Sequence, residues 1–146
     1  MATGGRPLEP VGLYNYDGRR VITQSELEIK IKAGDVDAKS IVMIQCVGAR
    51  IPERNYCSRI CCMVAIKNSL HIKEIDKDAK IFVLFRDIQA YGVENEALFL
   101  KAKEAGVRFI RYSLDTPPVV EDGKVKIYHP AMGKELSLIH ISEPTR

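Results

Sequence analysis

The chain has 146 residues, 46% of them hydrophobic and 28% charged, which suits one globular domain with a real core. Its net charge of +3 is dispersed and only 7% of its residues are aromatic, which argues against a nucleic-acid partner. No apolar run approaches the roughly 20 residues of a membrane span and no secretory pattern opens the chain. A cytoplasmic, reducing compartment is therefore expected, where thiols serve metals or catalysis.

Residues 1–38 read as a connecting segment with a short helix. Gly4, Gly5, Pro7, Pro10 and Gly12 make residues 1–16 extended and irregular. Thr23 or Ser25 can cap the helix, Glu26 and Glu28 lie in its first turn, and Gly34 stops it. Ser40–Cys46 is a nearly continuous apolar run, which predicts a strand buried on both faces. A loop, Val47–Tyr56, contains Gly48, Pro52 and basic residues.

The pattern from Ser58 to about Ile75 is helical, with Met63, Ile66 and Leu70 on one face and Lys67, Lys73 and Lys77 on a solvated remainder. Lys80–Ile88 is a second apolar strand, Glu94–Ala105 a second helix stopped by Gly106, and Val107–Tyr112 a third strand. Tyr91-Gly92 reads as a turn. Val119–Val120 and Lys124–Tyr128, joined through Glu121-Asp122-Gly123, predict a β-hairpin.

These elements predict an α/β fold over residues 39–130: a Rossmann-like β-α-β-α-β half with right-handed parallel crossovers, followed by a hairpin. The strands that would complete such a sheet do not follow, so the chain reads as incomplete and marginally stable alone. Ser137–Arg146 fits no pattern set by what precedes it and resembles the in-frame translation of a sequencing adapter. Residues 137–146 are therefore assigned as a non-biological tail, and His140 and Glu143 are given no role. His71 is expected to be exposed on its helix and His129 to end an edge strand, neither with metal or base work.

The chemistry lies in the cysteines. Cys46, Cys57, Cys61 and Cys62 are the only four in the chain and fall within seventeen residues as C-x10-C-x3-C-C. Four thiolates complete a tetrahedral site. In a dinucleotide-binding unit the first strand runs into Gly-x-Gly-x-x-Gly, which cradles a pyrophosphate at a helix N-terminus. After Cys46 there is only Gly48, followed by Ala49 and Arg50. Cysteines stand at the strand end and the helix start, as though the phosphate site were rebuilt for another anion.

A four-iron cluster with four thiolates carries a formal charge of about −2, which a helix N-terminus of roughly +0.5 favours. Arg50, Arg54 and Arg59 add cations. Cys57 and Cys61 fall one turn apart if both are helical, whereas Cys62 points about 100° away. Convergence then needs a distorted first turn, or Cys57 before the helix. Structural zinc also takes four thiolates, but it favours Cys-x2–4-Cys pairs at both ends. A Cys61–Cys62 disulfide would be strained, and four buried structural cysteines so close together are uncommon. A cluster ranks first on spacing, with zinc second.

Ile44-Gln-Cys-Val-Gly-Ala-Arg50 and Tyr56-Cys-Ser-Arg-Ile-Cys-Cys62 closely resemble the iron–sulfur A-subunit of heterodisulfide reductase. The likeness continues through Phe85–Gly92 and Gly106–Arg111 and covers roughly residues 14 to 130. That family occurs in methanogens, sulfate reducers and other anaerobes. The resemblance implies the second nucleotide-binding lobe of a thioredoxin-reductase-like flavoprotein, with a [4Fe-4S] cluster beside FAD. It also implies that Cys46, Cys57, Cys61 and Cys62 are the cluster ligands.

The family's ferredoxin-type motifs and FAD fingerprint are not in this chain, so the isolated piece is expected to be inactive. The whole protein would pass electrons from hydrogenase- or formate dehydrogenase-linked donors to its partner subunits. These reduce the heterodisulfide and ferredoxin by flavin-based bifurcation. Lys67, about 7.5 Å along the helix axis from Cys62, would face a flavin under this resemblance, or else is a solvated lysine. Asp87 ends the second strand, where a dinucleotide fold reads ribose. Without the glycine loop it is expected to make a structural turn or touch a neighbouring lobe.

Overall fold

The computed structural model describes residues 8–129 and 131–138. Its elements in chain order are α1 (Gln24–Ala33), β1 (Ser40–Ile44), α2 (Cys61–Ile75), β2 (Lys80–Phe85), α3 (Val93–Glu104) and β3 (Arg108–Arg111). Then come β4 (Val119–Glu121), β5 (Lys124–His129) and β6 (Lys134–Leu138). Strands β1, β2 and β3 form a parallel sheet in that order, and β4, β5 and β6 a separate antiparallel one.

The apolar runs of β1 and β2 are explained by what covers each face. Ile41 pairs with Ile81, Val42 with Phe82 and Met43 with Val83, so alternate residues share a face. Ile41, Met43, Ile81, Val83 and Phe109 pack with Leu27 of α1, Ile66 and Leu70 of α2 and Ala102 of α3. Val42, Ile44, Phe82, Leu84 and Ile110 pack against Val120, Val125, Ile127, Leu136 and Leu138 of the antiparallel sheet. The parallel sheet is thus the middle of three layers, and both faces of β2 are apolar because both are buried.

Helix α1 starts as expected. Thr23 Oγ1 accepts from the Glu26 N–H at 3.3 Å and Glu26 Oε2 accepts from the Thr23 N–H at 2.7 Å, a reciprocal capping box. Gly34 closes it in the left-handed conformation at φ 70°. Asn68 Nδ2 donates to Gln24 Oε1 at 2.8 Å, tying α1 to α2.

Three expected boundaries are corrected. Helix α2 begins at Cys61 instead of Ser58, because Arg59 sits at φ 64°, a conformation that a right-handed helix cannot continue. Strand β2 ends at Phe85 instead of Ile88, which places Asp87 in the turn beyond it. The hairpin forms about Asp122 (φ 49°) and Gly123 (φ 70°), the two positive φ values that a tight two-residue turn requires, but it does not stop there.

β6 adds a third strand, with Val125 opposite Leu138 and His129 opposite Lys134. His129 therefore ends the central strand instead of an edge strand. Leu136 and Leu138, two residues apart, reach the inter-sheet core, which is the physical reason the strand is held. Ser137 and Leu138, assigned to the tail by sequence, lie in β6; residues 139–146 of that tail, with His140 and Glu143, lie outside the described residues. Among the described residues no helix is long and apolar enough to cross a membrane.

Candidate metal centre

The carboxyl end of the parallel sheet carries the site. The ladder runs one residue past β1, where the Gln45 N–H donates to Leu84 O at 2.9 Å, and the Tyr112 hydroxyl donates to Gln45 O. The chain then turns sharply. Cys46 (φ 61°), Gly48 (φ 69°) and Arg50 (φ 56°) are left-handed, while Val47 and Ala49 between them are not. Such alternation curves the backbone of the loop into a concave turn. Left-handed cysteine and arginine cost free energy, and such residues cluster at functional sites. A side chain at Gly48 would also meet Leu8. The loop folds back through the Ala49 N–H to Cys46 O at 3.3 Å and the Arg50 N–H to Tyr56 O at 3.2 Å.

The amino end of α2 faces this turn. Cys61 and Cys62 are its first two residues, Ile60 supplies no capping side chain, and the first turn holds no acidic residue. Its N–H groups and the positive end of its dipole are left for an anion. Cys57 precedes the helix, in the loop that leads into it. Its Sγ accepts from the Arg59 N–H at 3.3 Å.

The Cys62 thiol bonds to Cys61, and this interaction leads in pushing the Cys61 thiol down to about 5. The Ser58 hydroxyl and the Cys62 and Cys61 N–H groups help, against burial. Cys62 is pushed far up, first by that shared proton and then by burial. Its Sγ lies 3.7 Å from Asp87 O. Burial pushes the Cys46 thiol up, opposed by the neighbouring Arg50 guanidinium.

Cations surround Cys46. Arg50 Nη2 lies 2.7 Å from Asp87 Oδ2, and Arg111 Nη2 lies 3.1 Å from Asp87 Oδ1. The Arg50 bond leads in holding the Asp87 carboxyl below the usual carboxylate range. This turns the expected structural turn at Asp87 into a bridge between the ends of β1 and β3. Two buried side-chain donors on residues close to Cys46 in the chain, Gln45 Nε2 and Arg50 Nη1, have no acceptor among the described residues, and Gln45 is only 2% exposed. A buried donor without an acceptor is costly, and a sulfur anion would satisfy both.

Cys46, Cys61 and Cys62 lie near enough for their charges to act on one another. Among the described residues, however, no three His, Cys, Asp or Glu side chains already stand together as a metal-ion site. All four cysteines are free thiols. Four free thiols, an uncapped helix end and neighbouring arginines are donors of the chemistry that an anionic, thiolate-bound metal group takes.

Lys67 is exposed on α2, as is His71. A cleft of about 480 Å³ opens on the other side of Cys46, lined by Tyr14, Val47, Gly48, Tyr112 and Val120 among others. Sequence reasoning missed Gln45, Arg86, Arg111 and Tyr112. Only the apolar strand ends hinted that polar groups beside them were enclosed.

No family model matches the chain. It is 39% identical over 137 residues to the first CoB–CoM heterodisulfide reductase iron–sulfur A-subunit of Methanopyrus kandleri, covering 82% of this chain and 20% of that protein. It is 39% identical over 118 residues to the iron–sulfur A-subunit of the same enzyme of Methanocaldococcus jannaschii, covering 70% of this chain and 18% of that protein. A third relative, the A-subunit of the H2/formate:CoB–CoM heterodisulfide,ferredoxin reductase of Methanococcus maripaludis, is 35% identical over 106 residues. That match covers 68% of this chain and 16% of that protein. The chain spans about a fifth of the length of these relatives.

Proposed function

Because the chain is homologous over most of its length to a segment of the heterodisulfide reductase iron–sulfur A-subunit, we propose that it is an electron-transfer segment of that kind of oxidoreductase complex. Cys46, Cys57, Cys61 and Cys62 are the ligands of a four-iron [4Fe-4S] cluster. The observation that carries this reading is the placement of all four free cysteines about the end of β1 and the start of α2, with buried donors nearby in the chain that have no acceptor among the described residues. The strand order β1-β2-β3, with the three helices against one face, supports a Rossmann-like half in which the cluster stands where a dinucleotide phosphate would bind.

When bound, the cluster supplies one-electron transfer. The chain's residues bind and tune it. The four thiolates hold it, the α2 N–H groups stabilise its negative charge, and Gln45 and Arg50 donate towards its sulfurs. The apolar faces of β1 and β2 keep the turn rigid. In the whole protein we place FAD nearby, with Lys67 as a cation available to it. The names of relatives support further readings: other heterodisulfide reductase subunits as partners, a hydrogenase- or formate dehydrogenase-linked donor, and bifurcation between heterodisulfide and ferredoxin. A cytoplasmic location fits free thiols.

Anaerobic expression tests the site. The protein should carry about four irons and about four sulfides per chain, with a broad visible absorbance that bleaches on reduction. One zinc per chain and no colour would identify a zinc-stabilised binding module instead. Cys57→Ala should abolish cluster retention; a fully loaded variant would remove Cys57 from the ligand set.

A further inference from the structure

The sheet collects three arginines and one carboxylate beside Cys46. Arg50 leaves the loop after β1, Arg86 and Asp87 lie in the turn after β2, and Arg111 ends β3. Asp87 receives Arg50 Nη2 at 2.7 Å on one oxygen and Arg111 Nη2 at 3.1 Å on the other. Arg86 Nη1 donates to Arg50 O at 2.9 Å, and Arg86 O accepts from Arg111 Nε at 3.0 Å. Arg50 is thus fixed at its backbone and at its guanidinium, in a left-handed conformation that it would not otherwise choose.

A partly exposed ion pair of this kind adds little to stability. One arm of Arg50 is spent on Asp87, while the other, Nη1, is buried without an acceptor among the described residues. A planar fork whose two arms are separated in this way needs an anchor on one side to stay aimed on the other. Resting on the cluster reading above, we propose that Asp87 is a positioning residue. It anchors Arg50 so that its free arm meets the Cys46 sulfur, and through that cation it raises the cluster's reduction potential. A cation next to a centre that becomes more negative on reduction stabilises the reduced form.

The test is a double-mutant cycle on the full chain, expressed anaerobically with its cluster. Potentials are read by a dithionite titration followed by electron paramagnetic resonance, with iron content alongside. Arg50→Gln should shift the potential to more negative values. Asp87→Asn removes a negative charge, which by itself raises the potential, but it also releases Arg50, which lowers it.

The Asp87→Asn shift should therefore be more negative with Arg50 present than in the Arg50→Gln background, and Asp87→Glu should restore most of the wild-type value. Equal Asp87→Asn shifts in both backgrounds overturn the proposal. Should Asp87→Asn lose its iron, Arg50→Lys decides: a potential between those of wild type and Arg50→Gln supports the anchored fork, and a wild-type potential overturns it. A wild-type chain without iron overturns the cluster reading, whereas iron with additive shifts overturns this inference alone.

Discussion

Tyr112 shows how much of the site rests on residues outside the cysteine pattern. It is 5% exposed, and its hydroxyl donates to the carbonyl of Gln45, the residue before Cys46. Burial pushes its phenol well above the ordinary range, so it stays a neutral donor. Tyr112→Phe would leave a buried carbonyl without its partner, at a cost of about 1–3 kcal/mol. Urea unfolding of the protein should show that loss with the far-UV spectrum of the folded state unchanged. An unshifted midpoint would mean that the bond contributes nothing. This residue was illegible in the sequence because its partner lies 67 positions away. The cysteines were legible because their spacing is itself the signal.

At the scale of elements, α1 and α2 begin in opposite ways. Helix α1 closes its first turn with the Thr23–Glu26 box, while α2 leaves its first turn open beneath Cys61 and Cys62. Thr23→Ala should cost about 1 kcal/mol, measured by thermal or urea unfolding. The bond from the Thr23 N–H leads in holding the Glu26 carboxyl below its ordinary value. Its folded pKa therefore lies below its unfolded one, and the stability it contributes is complete above the unfolded value.

That contribution fades as pH falls through the folded pKa. Glu26→Gln should remove this part of the acid-side slope of stability against pH, matching wild type only at low pH; an unchanged slope would show that other carboxylates carry it. The sequence narrowed the cap to Thr23 or Ser25, since capping is a contact between neighbours, and the structure uses Thr23. The start of α2 was not legible: the helical pattern runs from Ser58, but Arg59 turns left-handed and postpones the helix.

For the whole molecule, β2 is the shared wall of two cores. Val83 is fully buried against the helices and Leu84 fully buried against the antiparallel sheet. Leu84→Ala should cost about 2–5 kcal/mol. Because the two cores share this strand, chemical denaturation followed by circular dichroism and by tyrosine fluorescence should still give one coincident transition. Separate transitions would show that the antiparallel sheet unfolds by itself.

By itself the sequence determined the alternation of strands and helices, the Asp122-Gly123 turn and the identity of the four thiols. All of these depend on residues near one another in the chain. Only the tertiary structure decided that β6 continues the hairpin, that Cys57 stands before α2, and that Asp87 bridges Arg50 and Arg111 across three strand ends. The Asp87 bridge joins residues far apart in the sequence and exists only once the parallel sheet brings its carboxyl ends together. Strand β6 is held by the inter-sheet core that Leu136 and Leu138 reach.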